Sequence, residues 1–318
     1  MPTNSAGAPR AATTTAARRS PIIARLLACA AAAAAVIGGI APVAHAASTV
    51  EIAQGSVRGV TEGGVTSFRG IPFAAPPTGE LRWRPPAPPA SWNGTLDATE
   101  FGPSCIQGRY SGQQPVAQSE DCLTANVWTP DGTAPGANLP VMVWIYGGGF
   151  SIGSSALPDY DGTNFAERGV VLVSFNYRLG RLGYFAHPAL TAEDPDGELG
   201  NYGLMDAIAA LQWVQANIGA LGGDPDNVTI FGESAGGMTV NYLMSSPRSQ
   251  GLFDKAISQS GFNRLPMPPI RDGGPASGEQ QGTAFAESLG ITGAGPDTAR
   301  ALRDLPADTV WAGATPTG

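Results

Sequence analysis

Residues 139–146 and 169–177 form two continuous apolar stretches, rich in β-branched and aromatic side chains and lacking strict polar alternation. Runs of this kind suit strands buried on both faces, as in a parallel sheet covered by helices. Between 201 and 219, Leu204, Ala207, Ile208, Leu211, Val214 and Ile218 recur at helical spacing, with Asn201 placed to cap the start and Gly219 to end it. That helix would link strands near 170 and 228 through a crossover, giving a βαβ unit. Residues 256–260 read as a further strand, 263–278 as a proline- and glycine-rich connection, and 281–289 and 298–305 as helices. Before them, 50–130 carries short β-like runs at 56–60 and 65–69 between turn signals, which predicts an antiparallel edge and long ordered loops.

A chain of 318 residues with 42% apolar and 14% charged residues can bury a core. Residues 1–46 hold Arg10, Arg18, Arg19 and Arg25 but no acid, then an alanine-rich apolar run over 26–42 and the small-x-small site Ala44-His45-Ala46. These are the parts of a secretory signal peptide, so cleavage is expected after Ala46, leaving 47–318 as an exported domain. The run is too short to predict a membrane span. Arg18-Arg19 has the form of a twin-arginine signal, but Ser20-Pro21 follows it. Leu26-Leu27-Ala28-Cys29 has the form of a lipoprotein box, but the apolar run lies after Cys29, where a box should end it. Without the leader, 14 bases face 26 acids. So acidic a surface repels phosphate and argues against nucleic-acid or anionic-membrane partners. Cys105 and Cys122 then remain as an even pair, which in an exported protein favours a disulfide over a zinc or thiol-redox role.

The chemistry-bearing segment is Gly232-Glu233-Ser234-Ala235-Gly236, between the apolar run 228–231 and a predicted helix. A strand, sharp turn and helix in that order lift a serine hydroxyl above the carboxyl edge of a sheet. The glycines are read as close-approach positions. The helix starting near Ala235 turns backbone N–H groups toward any negative charge that develops beside Ser234. A serine hydroxyl needs a base before it can attack, so this turn supplies position only. Gly147-Gly148-Gly149-Phe150 directly follows the 139–146 strand, and successive glycines leave backbone N–H groups unshielded. A phosphate cradle fits less well: G-x-x-x-x-G-K-[ST] is absent, and Gly147, Gly149 and Gly153 miss the dinucleotide spacing by one. Glu193, Asp194, Asp196 and Glu198 read as a solvated acidic loop without the ligand spacing of a calcium site.

Six motifs in order, Phe68-Arg69-Gly70-Ile71-Pro72-Phe73-Ala74, Ser119-Glu120-Asp121-Cys122-Leu123, Tyr146 through Phe150, Asn176-Tyr177-Arg178-Leu179-Gly180, Gly222-Gly223-Asp224-Pro225 and Gly232 through Gly236, make the chain resemble the type-B carboxylesterase and cholinesterase family. The resemblance runs from Val50 to about Leu305. It implies an α/β-hydrolase fold, with a mostly parallel central sheet and helices on both faces. It also implies hydrolysis of small-molecule carboxylic esters by a Ser-Glu-His triad, without cofactor or metal. Ser234 would be the nucleophile, Gly148, Gly149 and Ala235 the oxyanion donors, and Cys105 with Cys122 a disulfide. Glu233 reads as a supporting buried carboxylate rather than the triad acid, because a residue adjacent to the nucleophile cannot orient a histidine facing it. Choline recognition does not carry over, because its aromatic binding residues have no match here.

The triad order in this fold is Ser, acid, His, and no histidine follows Ser234. His187 precedes it and sits beside Pro188 in a loop, so it reads as a surface or packing residue. The chain is therefore expected to be the N-terminal portion of a secreted esterase, nearly inactive as given. The alternative is an inactive truncated product or a secreted binding module of the same fold.

Overall fold

The computed structural model describes residues 46–108, 117–194, 199–262, 269–271 and 277–312. The signal-peptide reading falls outside them except for Ala46, as do Asp196 and Glu198 of the acidic loop.

The first half of the sheet is built from β1 (Ala46–Ile52), β2 (Gly55–Glu62), β3 (Val65–Pro72) and the short β4 (Thr95–Asp97). Gly63 and Gly64, at φ +59° and +82°, close the β2–β3 hairpin with the two left-handed residues that a two-residue turn demands. β5 (Ser104–Cys105) and β6 (Gln118–Ser119) form a separate parallel pair. The rest of the main sheet is β7 (Thr124–Pro130), β8 (Leu139–Ile145), β9 (Val171–Phe175), β10 (Gly223–Glu233) and β11 (Lys255–Gln259). The order across it is β1-β2-β3-β7-β9-β8-β10-β11, with β4 beside β2. Pairing is antiparallel from β1 to β9 and parallel through β9, β8, β10 and β11. The sheet is thus mixed, and the parallel half carries the serine.

Every residue of β9 is buried, as a strand covered on both faces should be. β8 alternates instead: Val141, Val143 and Ile145 are fully buried, while Met142 and Trp144 are partly covered by Phe165 and Phe231.

Among the described residues the helices are α1 (Thr163–Ala166), α2 (Gly180–Gly183), α3 (Pro188–Thr191), α4 (Tyr202–Asn217), α5 (Ala235–Ser245), α6 (Gly278–Ser288), α7 (Pro296–Arg303) and α8 (Ala307–Trp311). α4 joins β9 to β10, and β8 lies between those two strands, so the crossover spans a neighbour. Its Ala207, Leu211 and Val214 enter the main core beside Val228 and Ile230, and each large side chain buried there contributes about 1.5–3 kcal/mol. Asn201 occupies the N-cap position but its side chain accepts no capping bond, because its ψ of 48° departs from the extended cap geometry. α4 stops at Asn217, and the left-handed residue of the following turn is Gly222, at φ +88°.

Two ion-pair clusters tie distant segments together. Arg178, just past β9, sends Nε and Nη2 to the carboxylate of Asp206 on α4 at 2.8 and 2.7 Å, both side chains being buried. Farther out, Arg82 pairs with Glu120 at 2.7 and 2.6 Å and donates to the carbonyl of Arg303. Arg303 in turn pairs with Glu193 at 2.7 Å through both nitrogens. Glu193 is exposed, as a solvated acidic loop predicts, but its carboxylate is also paired: hydrogen bonds from Arg303 hold it below the usual range, and it anchors α7.

Candidate active site

β10 ends at Glu233 and α5 begins at Ala235, so Ser234 alone makes the turn, at φ 55° and ψ −120°. An L-residue resists that conformation, which costs on the order of 1–3 kcal/mol and persists only where the surroundings enforce it. Here they do. Ser234 N donates to Gln259 O of β11 at 2.9 Å, and Ser234 O accepts from Met238 N at 2.8 Å. The glycines on either side let α5 sit directly on the sheet. A Cβ at Gly236 would lie 1.9 Å from Ile145 O, and one at Gly232 would lie 2.6 Å from the Gly236 carbonyl carbon. Gly237 is equally crowded, 2.6 Å from Gln259 O by the same construction. Ser234 stays partly accessible, and among the described residues nothing hydrogen-bonds to its hydroxyl.

The glycine loop arrives from β8, next to β10 in the sheet. A Cβ at Gly147 would lie 3.1 Å from Ser234 Cβ and 2.7 Å from Glu233 O, so the loop begins against the serine. Gly148 and Gly149 have φ of +111° and +61°, and Phe150 holds a left-handed φ of 59°. Gly148 O accepts from Ser151 N and Ile152 N, both at 3.1 Å. Among the described residues, no acceptor takes the N–H of Gly148, Gly149 or Ala235. Unengaged amides on one loop and at one helix N-terminus can receive a developing negative charge.

Glu233 departs from expectation. It is exposed, its carboxylate lying toward Gly147. Strand alternation puts Glu233 on the face of the partly buried Thr229 and Phe231, opposite the buried Val228, Ile230 and Gly232. His187 is buried, and its Nδ1 accepts from Ala189 N at 3.1 Å as the N-cap of α3. Burial lowers its pKa, with Glu279 opposing. That histidine is a packing and capping residue. Cys105 and Cys122 are joined in a disulfide.

Two residues have no part in the site by the sequence reading, which weighs Gly153 only for nucleotide-binding spacing and does not consider Gln107. Gly153 turns the loop back at φ +127°, and Gln107 bonds it from the disulfide-bounded segment. Gln107 belongs to no motif, so only the tertiary contact reveals it. Among the described residues no group of three or more His, Cys, Asp or Glu side chains is placed to hold a metal ion. No helix among them is long and apolar enough to cross a membrane.

The model of the Carboxylesterase family matches residues 46–314. The chain is 56% identical over 209 residues to the fumonisin B1 esterase of Sphingopyxis macrogoltabida, covering 65% of this chain and 38% of that protein. It is 48% identical over 220 residues to the para-nitrobenzyl esterase of Bacillus subtilis (strain 168), covering 68% and 44%. Among solved structures, a PNB esterase superposes with a TM-score of 0.72 at 42% identity, over 83% of this chain and 52% of its own. A Geobacillus stearothermophilus carboxylesterase gives 0.74 at 41% identity, over 84% and 52%. The chain therefore spans about half or less of the length of these relatives. Because the family model matches well over half of its residues, the chain belongs to the carboxylesterase family.

Proposed function

We propose that this chain carries the nucleophile and oxyanion-binding part of an exported serine carboxylesterase acting on small-molecule esters. Once a base has taken its proton, Ser234 Oγ attacks the ester carbonyl. The N–H groups of Gly148, Gly149 and Ala235 stabilise the tetrahedral oxyanion, each contributing about 3 kcal/mol in comparable sites. The alcohol then leaves, and water releases the acid from the acyl-enzyme. The observation that carries this reading is the enforced left-handed turn of Ser234 beside Gly147 at the head of α5.

The base and its acid partner are assigned to polypeptide outside these 318 residues. Supporting this, His187 is committed to capping α3, and the matched region covers only 52% of the esterase structures it superposes on. Loss of the serine-histidine partnership costs on the order of a millionfold in related chemistry, so residues 47–318 alone should be nearly inert. Export, with cleavage after Ala46, is supported by the leader's pattern and by the disulfide.

Labelling with a fluorophosphonate probe tests the assignment: Ser234 is modified in the secreted polypeptide, and Ser234→Ala is not. Intact mass of that polypeptide, with its first residue read as Ala47, tests the rest. The buried His187 also favours a second reading, a secreted module keeping the shape without the chemistry. A mass equal to residues 47–318 together with an unlabelled Ser234 would select it.

A further inference from the structure

The oxyanion reading requires the Gly148 and Gly149 amides to be held still, and the loop bearing them has few internal bonds. Its backbone anchors near the tip, among the described residues, are Gly148 O, which accepts from Ser151 N and Ile152 N, and Phe150 O, which accepts from Gly180 N at 2.7 Å. In a trans peptide the N–H points opposite the carbonyl of the same plane. Turning Gly148 O into the loop therefore turns Gly149 N–H out of it. Phe150 O is held from outside the loop by Gly180 N, whereas the Ile152 N bond to Gly148 O holds while Ile152 and the residue after it keep their place.

Gly153 is that residue, and it lies directly beneath the outgoing arm. A Cβ there would come within 2.5 Å of the Tyr146 ring and 2.9 Å of Gly147 O. No backbone group among the described residues bonds Gly153. Instead the buried side-chain amide of Gln107 takes both of its polar atoms: Gly153 N donates to Gln107 Oε1 at 2.7 Å, and Gln107 Nε2 donates to Gly153 O at 2.7 Å. A primary amide is the side chain that offers one acceptor and one donor in this geometry; a carboxylate only accepts, and a leucine offers neither. Gln107 is itself fixed. Its Nε2 also donates to Cys105 O at 3.0 Å, its backbone N donates to Gln118 Oε1 at 3.0 Å, and the Cys105–Cys122 disulfide lies two residues away.

We propose that Gln107 is a positioning residue for ester hydrolysis, clamping Gly153 at both polar atoms so that the Gly148 and Gly149 amides keep the presentation the oxyanion needs. This rests on the function proposed above for those amides.

The test compares Gln107→Leu and Gln107→Glu with the parent in the secreted polypeptide. In 15N spectra of Gln107→Leu, the Gly148, Gly149 and Gly153 amide resonances shift and exchange hydrogen at least about tenfold faster, while Val141, Val143 and Ile145 of β8 stay unchanged. With p-nitrophenyl acetate, turnover per titrated Ser234 falls about tenfold or more with KM altered less than about twofold. Gln107→Glu keeps the acceptor alone and falls between. Unmoved glycine amides in Gln107→Leu would overturn the clamp whether or not the polypeptide is an esterase. Moved amides with unchanged turnover would overturn the positioning role. A parent polypeptide that hydrolyses no ester would instead sink the serine-esterase reading, and the amide spectra would still decide the clamp.

Discussion

The α-carbon of Gly236 lies so close to the carbonyl of Ile145 that a methyl group built on it would come within 1.9 Å of the oxygen. This contact between the first turn of α5 and the last residue of β8 sets how near the helix sits to the sheet, and so how sharply the chain turns at Ser234. The contact is backbone to backbone, so no side chain can swing away to relieve a substitution.

Gly236→Ala should therefore destabilise the protein by more than about 4 kcal/mol or prevent folding, since overpacking against backbone is among the costly mutational classes. Urea unfolding followed by tryptophan fluorescence measures it. Gly63→Ala serves as the control, because a Cβ there meets nothing within 4 Å. Its left-handed φ should cost only about 1 kcal/mol.

Ser234→Gly should act in the opposite sense. Glycine tolerates φ 55° and ψ −120°, so releasing the serine from that conformation should raise stability by about 1 kcal/mol, net of the greater entropy of an unfolded glycine. The same variant should lose all fluorophosphonate labelling. A drop in the unfolding midpoint would show that the turn is not strained.

Asp206→Asn should cost about 3–5 kcal/mol, because it leaves the buried Arg178 guanidinium without its counter-charge. Replacing both residues together, Arg178→Met with Asp206→Leu, should cost far less than Asp206→Asn. A double-mutant cycle in urea checks the difference. Equal losses would mean that the pair acts through packing alone.

His187 gives stability a pH dependence with a definite sign. Burial lowers its pKa below the ordinary 6.5, with the Glu279 charge opposing, so the folded state holds it neutral. Its contribution is complete above pH 6.5 and is lost as pH falls through the lowered folded value, since the unfolded chain then binds the proton more readily. His187→Asn keeps a capping acceptor for Ala189 N and removes the titration. Thermal melts from pH 7.5 to 5 should therefore fall less steeply in the variant. An identical slope would place the acid sensitivity elsewhere.

Much of this molecule is written locally. The apolar runs of β8 and β9, the helical spacing of α4, and the glycines around Ser234 each follow from near neighbours in the chain. Backbone sterics and side-chain periodicity act over a few residues and need no partner to be legible. The fully buried β9, the left-handed serine and the Cys105–Cys122 bridge accord with that reading. What depended on contact between distant segments was not legible. Glu233 looked buried beside its serine but lies exposed, on the less covered face of β10 that Thr229 and Phe231 share, and which face the rest of the fold covers is not written locally. Glu193 is exposed as expected, but its pairing with Arg303, 110 residues away, was not legible. Gln107 carries no motif, and its hold on Gly153 exists only because the disulfide-bounded segment folds against the glycine loop. Hydrogen bonds and ion pairs are satisfied wherever the fold brings partners together, so they belong to the tertiary structure, whereas turns and periodic faces belong to the sequence.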